Sequence, residues 1–128
     1  MIGADIVRAF WADMASNDFH AATRWFGPHF TLHWPQSDEV IAGADSFAAL
    51  TGAYAASGAW QVRIDRLTGA DGLYVSEVAM TAVTARARAV TFHWIEDKRI
   101  ARQVEYWPDA FDAPDWRRPW TRMDASPH

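Results

Sequence analysis

The chain has 128 residues, a formal net charge of −4 with 12 basic side chains spread along its length, and no cysteine. That length makes one domain able to bury about two-thirds of the surface its unfolded chain exposes, without help from a disulfide or a metal. The acidic balance disfavours nucleic acid and anionic membrane surfaces as partners, and MIGADIVRAF shows neither a signal peptide nor a membrane span. With no cysteine to protect, a reducing, cytoplasmic location is expected.

Ile6, Val7, Phe10, Trp11 and Met14 recur at spacings of three and four, which predicts an amphipathic helix over about residues 3–16. Ser16-Asn17-Asp18 breaks it and offers a cap to a second helix, in which Phe19, Ala22, Trp25 and Phe26 keep the helical spacing until Gly27-Pro28. Phe30 to Trp34 alternates and ends at Pro35, as suits a short edge strand, because proline cannot donate to a ladder. Val40-Ile41 suggests another short strand. Phe47, Leu50 and Tyr54 mark a third helix from Asp45 to about Ser57, ended by Ser57-Gly58. From there the helical period disappears. Trp60, Val62 and Ile64 alternate with polar residues, and Gly69 to Gly72 makes a turn. Leu73 to Thr84 forms a longer run, with Tyr74, Ser76, Val78 and Met80 on one side and Val75, Glu77, Ala79 and Thr81 on the other. Pattern alone does not decide which side faces inward.

Val90, Phe92 and Trp94 then alternate with Ala89, Thr91, His93 and Ile95, and after four charged residues a second alternating run extends from Ile100 to Trp107. This is a hairpin signal. A two- or four-residue loop centred on Asp97 and Lys98 sets Ile95 opposite Ile100, Trp94 opposite Ala101, Phe92 opposite Gln103 and Val90 opposite Glu105. Facing residues share a side of the sheet, so the large apolar side of the first strand carries Gln103, Glu105 and Trp107 with it. A three- or five-residue loop shifts the register by one and sends Glu105 to the other side.

Three helices followed by four antiparallel strands predict an α+β domain, a curved sheet with helices on one face. The domain is expected to span residues 1–109. A tail over residues 110–128, rich in proline and tryptophan, is expected to pack on the sheet or on a second subunit, because Phe111, Trp116 and Trp120 are poorly suited to water. Eight Trp, seven Phe and three Tyr exceed what a core of this size needs, which points to an aromatic-lined cavity or interface.

The order of elements from about residue 4 to 109, the His33-Trp34-Pro35 triplet, the IARQVEYW segment and the APDWRRPW tail resemble the SnoaL-like branch of the nuclear transport factor 2-like superfamily. The resemblance implies a cone-shaped, strongly curved antiparallel sheet wrapped around three helices, a deep cavity and a homodimer. It also implies a choice among isomerases, polyketide cyclases, dehydratases, epoxide hydrolases and non-catalytic binding modules, which fold alone does not make. Set against the ketosteroid isomerases, the positions of their buried acid, general base and first-helix tyrosine fall at Val90, Trp34 and Phe10. All three are apolar here, so that machinery is missing. The same comparison turns Val90, Phe92, Trp94, Glu105 and Trp107 toward the cavity, favours Tyr74, Ser76, Val78 and Met80 as inward, and turns Glu77 outward. SnoaL-type cyclases carry an acid/base carboxylate on the terminal strand, where Glu105 lies.

A carboxyl among apolar rings loses hydration and its pKa rises toward the range a general acid or base needs. Glu105 is therefore the first catalytic candidate, with Tyr74 and Gln103 as donors to a substrate oxygen. The alternative is an anchor for a backbone group, an indole N–H or a tyrosine hydroxyl, or a place in a dimer interface. His33 is a weaker candidate, since alternation turns it outward if Trp34 points in. Phe10, Met14, Trp34, Phe47, Tyr54, Ser76, Val90, Phe92, Trp94, Gln103 and Trp107 are the expected substrate-binding wall. His29 and His33 share a strand face without a third ligand, so no metal is expected. No nucleophile motif, phosphate loop or dinucleotide fingerprint is present, which leaves cofactor-free chemistry on a small hydrophobic ligand.

Overall fold

The computed structural model describes residues 2–55 and 58–124. Helix α1 (Gly3–Ala15) buries Ile6, Val7, Phe10, Trp11 and Met14, the face its three-and-four spacing marks out. Burying a side chain such as Phe10 is worth roughly 2–3 kcal/mol. Helix α2 (Phe19–Ala22) is capped by Asp18, whose side chain accepts from the Ala21 N–H, and passes into a single 3-10 turn.

Here the chain departs from the pattern read in its sequence. Phe26 does not continue the helix but opens strand β1 (Phe26–Trp34), which runs straight through Gly27 and Pro28. The ladder is irregular between Phe26 and Thr31, so no hydrogen bond is demanded of the proline. Nor is β1 an edge: β2 (Glu39–Ala42) covers it on one side. Helix α3 (Ala44–Tyr54) follows, and Ser57, expected to end it, lies outside the described residues.

Strands β3 (Gln61–Ala70), β4 (Leu73–Ala82), β5 (Ala85–Glu96) and β6 (Arg99–Tyr106) form an antiparallel meander. The spatial order β2-β1-β6-β5-β4-β3 makes one six-stranded, curved, unclosed sheet with α1 packed on β3 and β4. The β1–β6 pair is parallel, a departure from an all-antiparallel sheet that arises because these strands meet by crossover, not by a hairpin.

The β5–β6 turn is the two-residue loop at Asp97-Lys98, with both residues at positive φ (50° and 62°), the conformation of a tight hairpin turn. Ile95 faces Ile100 as expected, but the ladder then skips Ala101, and Trp94 pairs with Arg102, His93 with Gln103 and Thr91 with Glu105. The surplus residue is a β-bulge. The side of β5 that faces the helices is Ala89, Thr91 and His93, all fully buried. Val90, Phe92 and Trp94 lie on the outer side instead. There Phe92 stacks on Trp94 and meets Tyr106 edge-on, and the Arg102 guanidinium sits 4.0 Å from the Trp94 ring centre. The inner residues of β5 are small or polar because Phe10 and Trp11 of α1 already fill that space.

The tail leaves β6 at Trp107, whose backbone N–H donates to Gln36 Oε1. Its Phe111, Trp116 and Trp120 are 78%, 69% and 79% exposed on the single chain.

Candidate functional site

A cavity of about 680 Å³ opens between the helices and the sheet. Its deep wall is aromatic and aliphatic: Phe10, Trp11 and Met14 from α1, Phe19 from α2, Leu32 and Trp34 from β1, Phe47 from α3, Met80 from β4 and Trp107. Its mouth is framed by the β1–β2 loop, the end of α3, the β4–β5 turn and the start of the tail, which bring Gln36, Ser37, Glu39, Tyr54, Arg86 and Asp109 together.

Glu105 is the one ionisable side chain of the deep wall among the described residues, and it is 6% exposed. The bulged register puts it opposite Thr91, whose hydroxyl donates to Oε2 at 2.6 Å, while the Trp34 indole N–H donates to Oε1 at 3.0 Å. Loss of hydration pushes its pKa up, and the donors on Thr91, Trp34 and Trp107 act against that push. Trp107 Nε1 bears on the carboxyl without reaching good hydrogen-bond geometry, and it is a buried N–H with no partner. The indole N–Hs can only donate, and the Thr91 hydroxyl donates as placed. The protein thus serves the ionised form of Glu105 and provides no dedicated acceptor for a proton on it.

Two rungs further along the hairpin, the next on the inner side, is a second polar group, which the sequence reading passed over. His93 is fully buried between Ser76 Oγ, 2.7 Å from Nε2, and Gln103 Nε2, 3.0 Å from Nδ1. As the amide donates to Nδ1, Nε2 carries the ring proton and donates to Ser76, which also accepts from Trp11 Nε1 at 3.0 Å. Phe10 and Trp11 meet the imidazole edge-on at 6.1 and 6.5 Å. No charged partner contacts the ring, and burial pulls its pKa down to about 3. A signal existed in the sequence: inward-facing Ser76 and Gln103 both require buried partners.

Of the expected wall, Phe10, Met14, Trp34, Phe47, Tyr54 and Trp107 line the cavity together with Glu105. Ser76 and Gln103 are buried in the His93 chain and do not reach it. Val90, Phe92 and Trp94 are excluded by the face they occupy. His33 pairs with Val104 and Val40 on the outer side, while its neighbour Leu32 points in, so it cannot orient Glu105. Tyr74 is on the inner side of β4 but packs on the start of α1, where a Cβ on Gly3 would strike its ring. Met80, the β4 residue that lines the cavity, is six residues away, about 20 Å along a strand. Tyr74 and Gln103 therefore do not converge with Glu105 as donors. Glu77 is outward, paired with Arg66 and Arg88.

Among the described residues, no three histidine or acidic side chains gather as metal ligands, and no helix is long and apolar enough to cross a membrane.

Residues 7–103 match the model of the SnoaL-like domain, and the chain belongs to that family. Among solved structures it is similar to a protein of Kribbella flavida named provisionally as a ketosteroid isomerase (20% identity, TM-score 0.85, 95% of this chain and 89% of that one). It is also similar to a nuclear transport factor 2-like protein of unknown function from Burkholderia xenovorans (24%, 0.77, 94% of each chain). A third likeness is to an LEH-like epoxide hydrolase of M. tuberculosis (19%, 0.64, 81% of this chain and 80% of that one). At these identities the likeness shows the fold alone. No curated protein matches the sequence significantly.

Proposed function

We propose that this chain is a cofactor-free enzyme that moves a proton on a small hydrophobic molecule held in the cavity, with Glu105 as the acid/base group. The observation that carries this reading is a buried carboxyl on the wall of a roomy apolar cavity, desolvated enough to raise its pKa and held by donors. As a base it takes a proton from carbon beside a carbonyl, the electron pair passing to the carbonyl oxygen. As the resulting acid, which has no dedicated protein acceptor, it returns the proton to the bound molecule. Isomerisation, dehydration and cyclisation all contain that exchange. Structural neighbours named provisionally as a ketosteroid isomerase and as an LEH-like epoxide hydrolase support small-molecule chemistry in this fold.

The test does not need the natural substrate. Small cyclic ketones such as 2-tetralone are incubated in D₂O and deuterium entry beside the carbonyl is followed by NMR. The wild-type protein should accelerate exchange, and Glu105→Gln should lose about 100-fold or more of that acceleration. No acceleration by the wild type, or full acceleration by the variant, overturns the proposal.

A second reading is favoured by the Trp34 and Thr91 bonds, which also suit a purely anchoring carboxylate: a ligand-binding module without turnover. It predicts ligand binding with no exchange in either wild type or Glu105→Gln. For either reading we propose a cytoplasmic homodimer joined through the outer sheet face around Phe92, Trp94 and Tyr106. Light scattering that gives a monomer mass removes the dimer.

A further inference from the structure

We propose that the molecule this cavity takes is a hydrophobic amine, bound as its ammonium ion against Glu105, and that the cavity turns carboxylates away. The inference rests on the cavity being a ligand site, the part of the preceding reading that does not require turnover.

Three independent features of the wall select for positive charge. Among the described residues the deep surface offers no cation, and its single ionisable group is Glu105. An anion placed there would face a carboxyl in a low-dielectric space with no cation of the deep wall to offset it, only the unpartnered Trp107 N–H. Each carboxylate oxygen has two acceptor positions, and the protein fills one on Oε1 with the Trp34 N–H and one on Oε2 with the Thr91 hydroxyl. Acceptor capacity is left over for an ammonium group, which brings three donors and a full charge.

The second feature is the aromatic lining of the cavity, of which Trp34 and Trp107 bear on that carboxyl. Trp34, Trp107, Trp60 and Tyr54 line the same cavity, and Trp34 meets Tyr54 edge-on at 6.4 Å. Ring faces attract ammonium groups, and they shelter the hydrocarbon of the same molecule. A neutral ligand uses only the second of these properties.

The third is the mouth, where Glu39 and Asp109 outnumber Arg86 among the lining residues. Together with the net charge of −4, this gives the approach to the cavity a field that draws cations and repels anions. An amine carried next to the reacting carbon of a carbonyl compound also increases that carbon's acidity, so binding and proton transfer by Glu105 are compatible in one aminocarbonyl molecule.

The experiment uses three probes of one shape and three charges: 2-naphthylmethylamine, 2-naphthalenemethanol and 2-naphthoate, titrated into the full chain at pH 8 by calorimetry. The amine is expected to bind at least tenfold more tightly than the alcohol, as a charge-assisted hydrogen bond requires, and naphthoate at least tenfold more weakly than the alcohol. In Glu105→Gln, confirmed folded by circular dichroism, the amine and the alcohol should agree within about threefold. Naphthoate binding as tightly as the amine overturns the proposal on wild-type protein alone, whether or not the variant folds. An amine preference that survives in Glu105→Gln overturns the role of Glu105. If the alcohol binds but the amine does not exceed it, the charge inference fails while the cavity remains a ligand site. If none of the three binds, the inference falls together with the reading of the cavity.

Discussion

The two buried polar pairs of the β5–β6 hairpin, Thr91 with Glu105 and His93 with Gln103, lie two rungs apart, next to each other on the same inner side of the sheet. Each holds one titratable group, and burial drives both toward their neutral forms, Glu105 upward and His93 down to about 3. What separates them is space. Glu105 borders a cavity of about 680 Å³, whereas the ring nitrogens of His93 are both occupied by protein groups, and His93 does not line that cavity. A perturbed buried group is thus only a candidate for chemistry, and access to a guest decides between a working carboxyl and a structural imidazole.

The largest expected effect that sharpens this contrast is kinetic. Glu105→Gln should remove about 100-fold or more of any proton exchange the protein catalyses, whereas His93→Gln, if folded, should leave the exchange within about tenfold. Equal losses at the two sites would erase the distinction. Next in size is stability. His93→Ala leaves a void and strips Gln103 and Ser76 of a partner, so unfolding in urea should show a loss of about 3–5 kcal/mol. A loss below about 1 kcal/mol would mean that the polar chain is not structural.

The pH dependence of stability should carry both groups with opposite signs. His93 has its folded pKa below the ordinary 6.5, so the unfolded chain binds the proton more tightly. Stability is lost as pH falls from about 6.5 toward 3, at up to about 1.4 kcal/mol per pH unit. Glu105 has its folded pKa above 4.5, so its neutral form is favoured by folding, and stability is lost as pH rises from 4.5 through the raised folded value. Denaturation midpoints across pH 3–9 should therefore lose the acid limb in His93→Gln and the opposite limb in Glu105→Gln. Curves that stay parallel to wild type would break the comparison. The smallest effect is Trp34→Phe, which removes one donor from the carboxylate and should raise the Glu105 titration further in carbon NMR. A fall would show that the indole does not serve the ionised form.

Much of this architecture was legible in the residues, and the misreadings have physical causes. The α1 face, the meander and the turn at Asp97-Lys98 follow from periodicity and charge, because one face of each element is wet or packed as the pattern assumes. Ala101 was not legible. A bulge leaves no mark in composition, and it moved every pairing beyond Ile95 by one residue. The outer side of β5 misled for a different reason: Val90, Phe92 and Trp94 are the larger apolar set, but they cover each other and Arg102, while Phe10 and Trp11 leave room only for Ala89, Thr91 and His93 inside. These two departures cancel for β6. Shifting the register and inverting β5 together return Glu105 to the interior, so its burial was anticipated through a pairing with Val90 that the structure does not contain. Strand β1 was read too short because Gly27-Pro28 looks like a stop, and only the ladder shows that no N–H is asked of Pro28.

Ala101 also gives the fold a means of adjustment. The facing pairs on either side of it would survive its deletion, since Arg102 already answers Trp94 and Ile100 already answers Ile95. Only the local bend would go, and with it some of the concavity that makes room for a guest. Trimming one inconspicuous alanine should therefore reshape the chamber while every wall residue keeps its identity, and a crystal structure of that deletion showing unchanged volume would refute it.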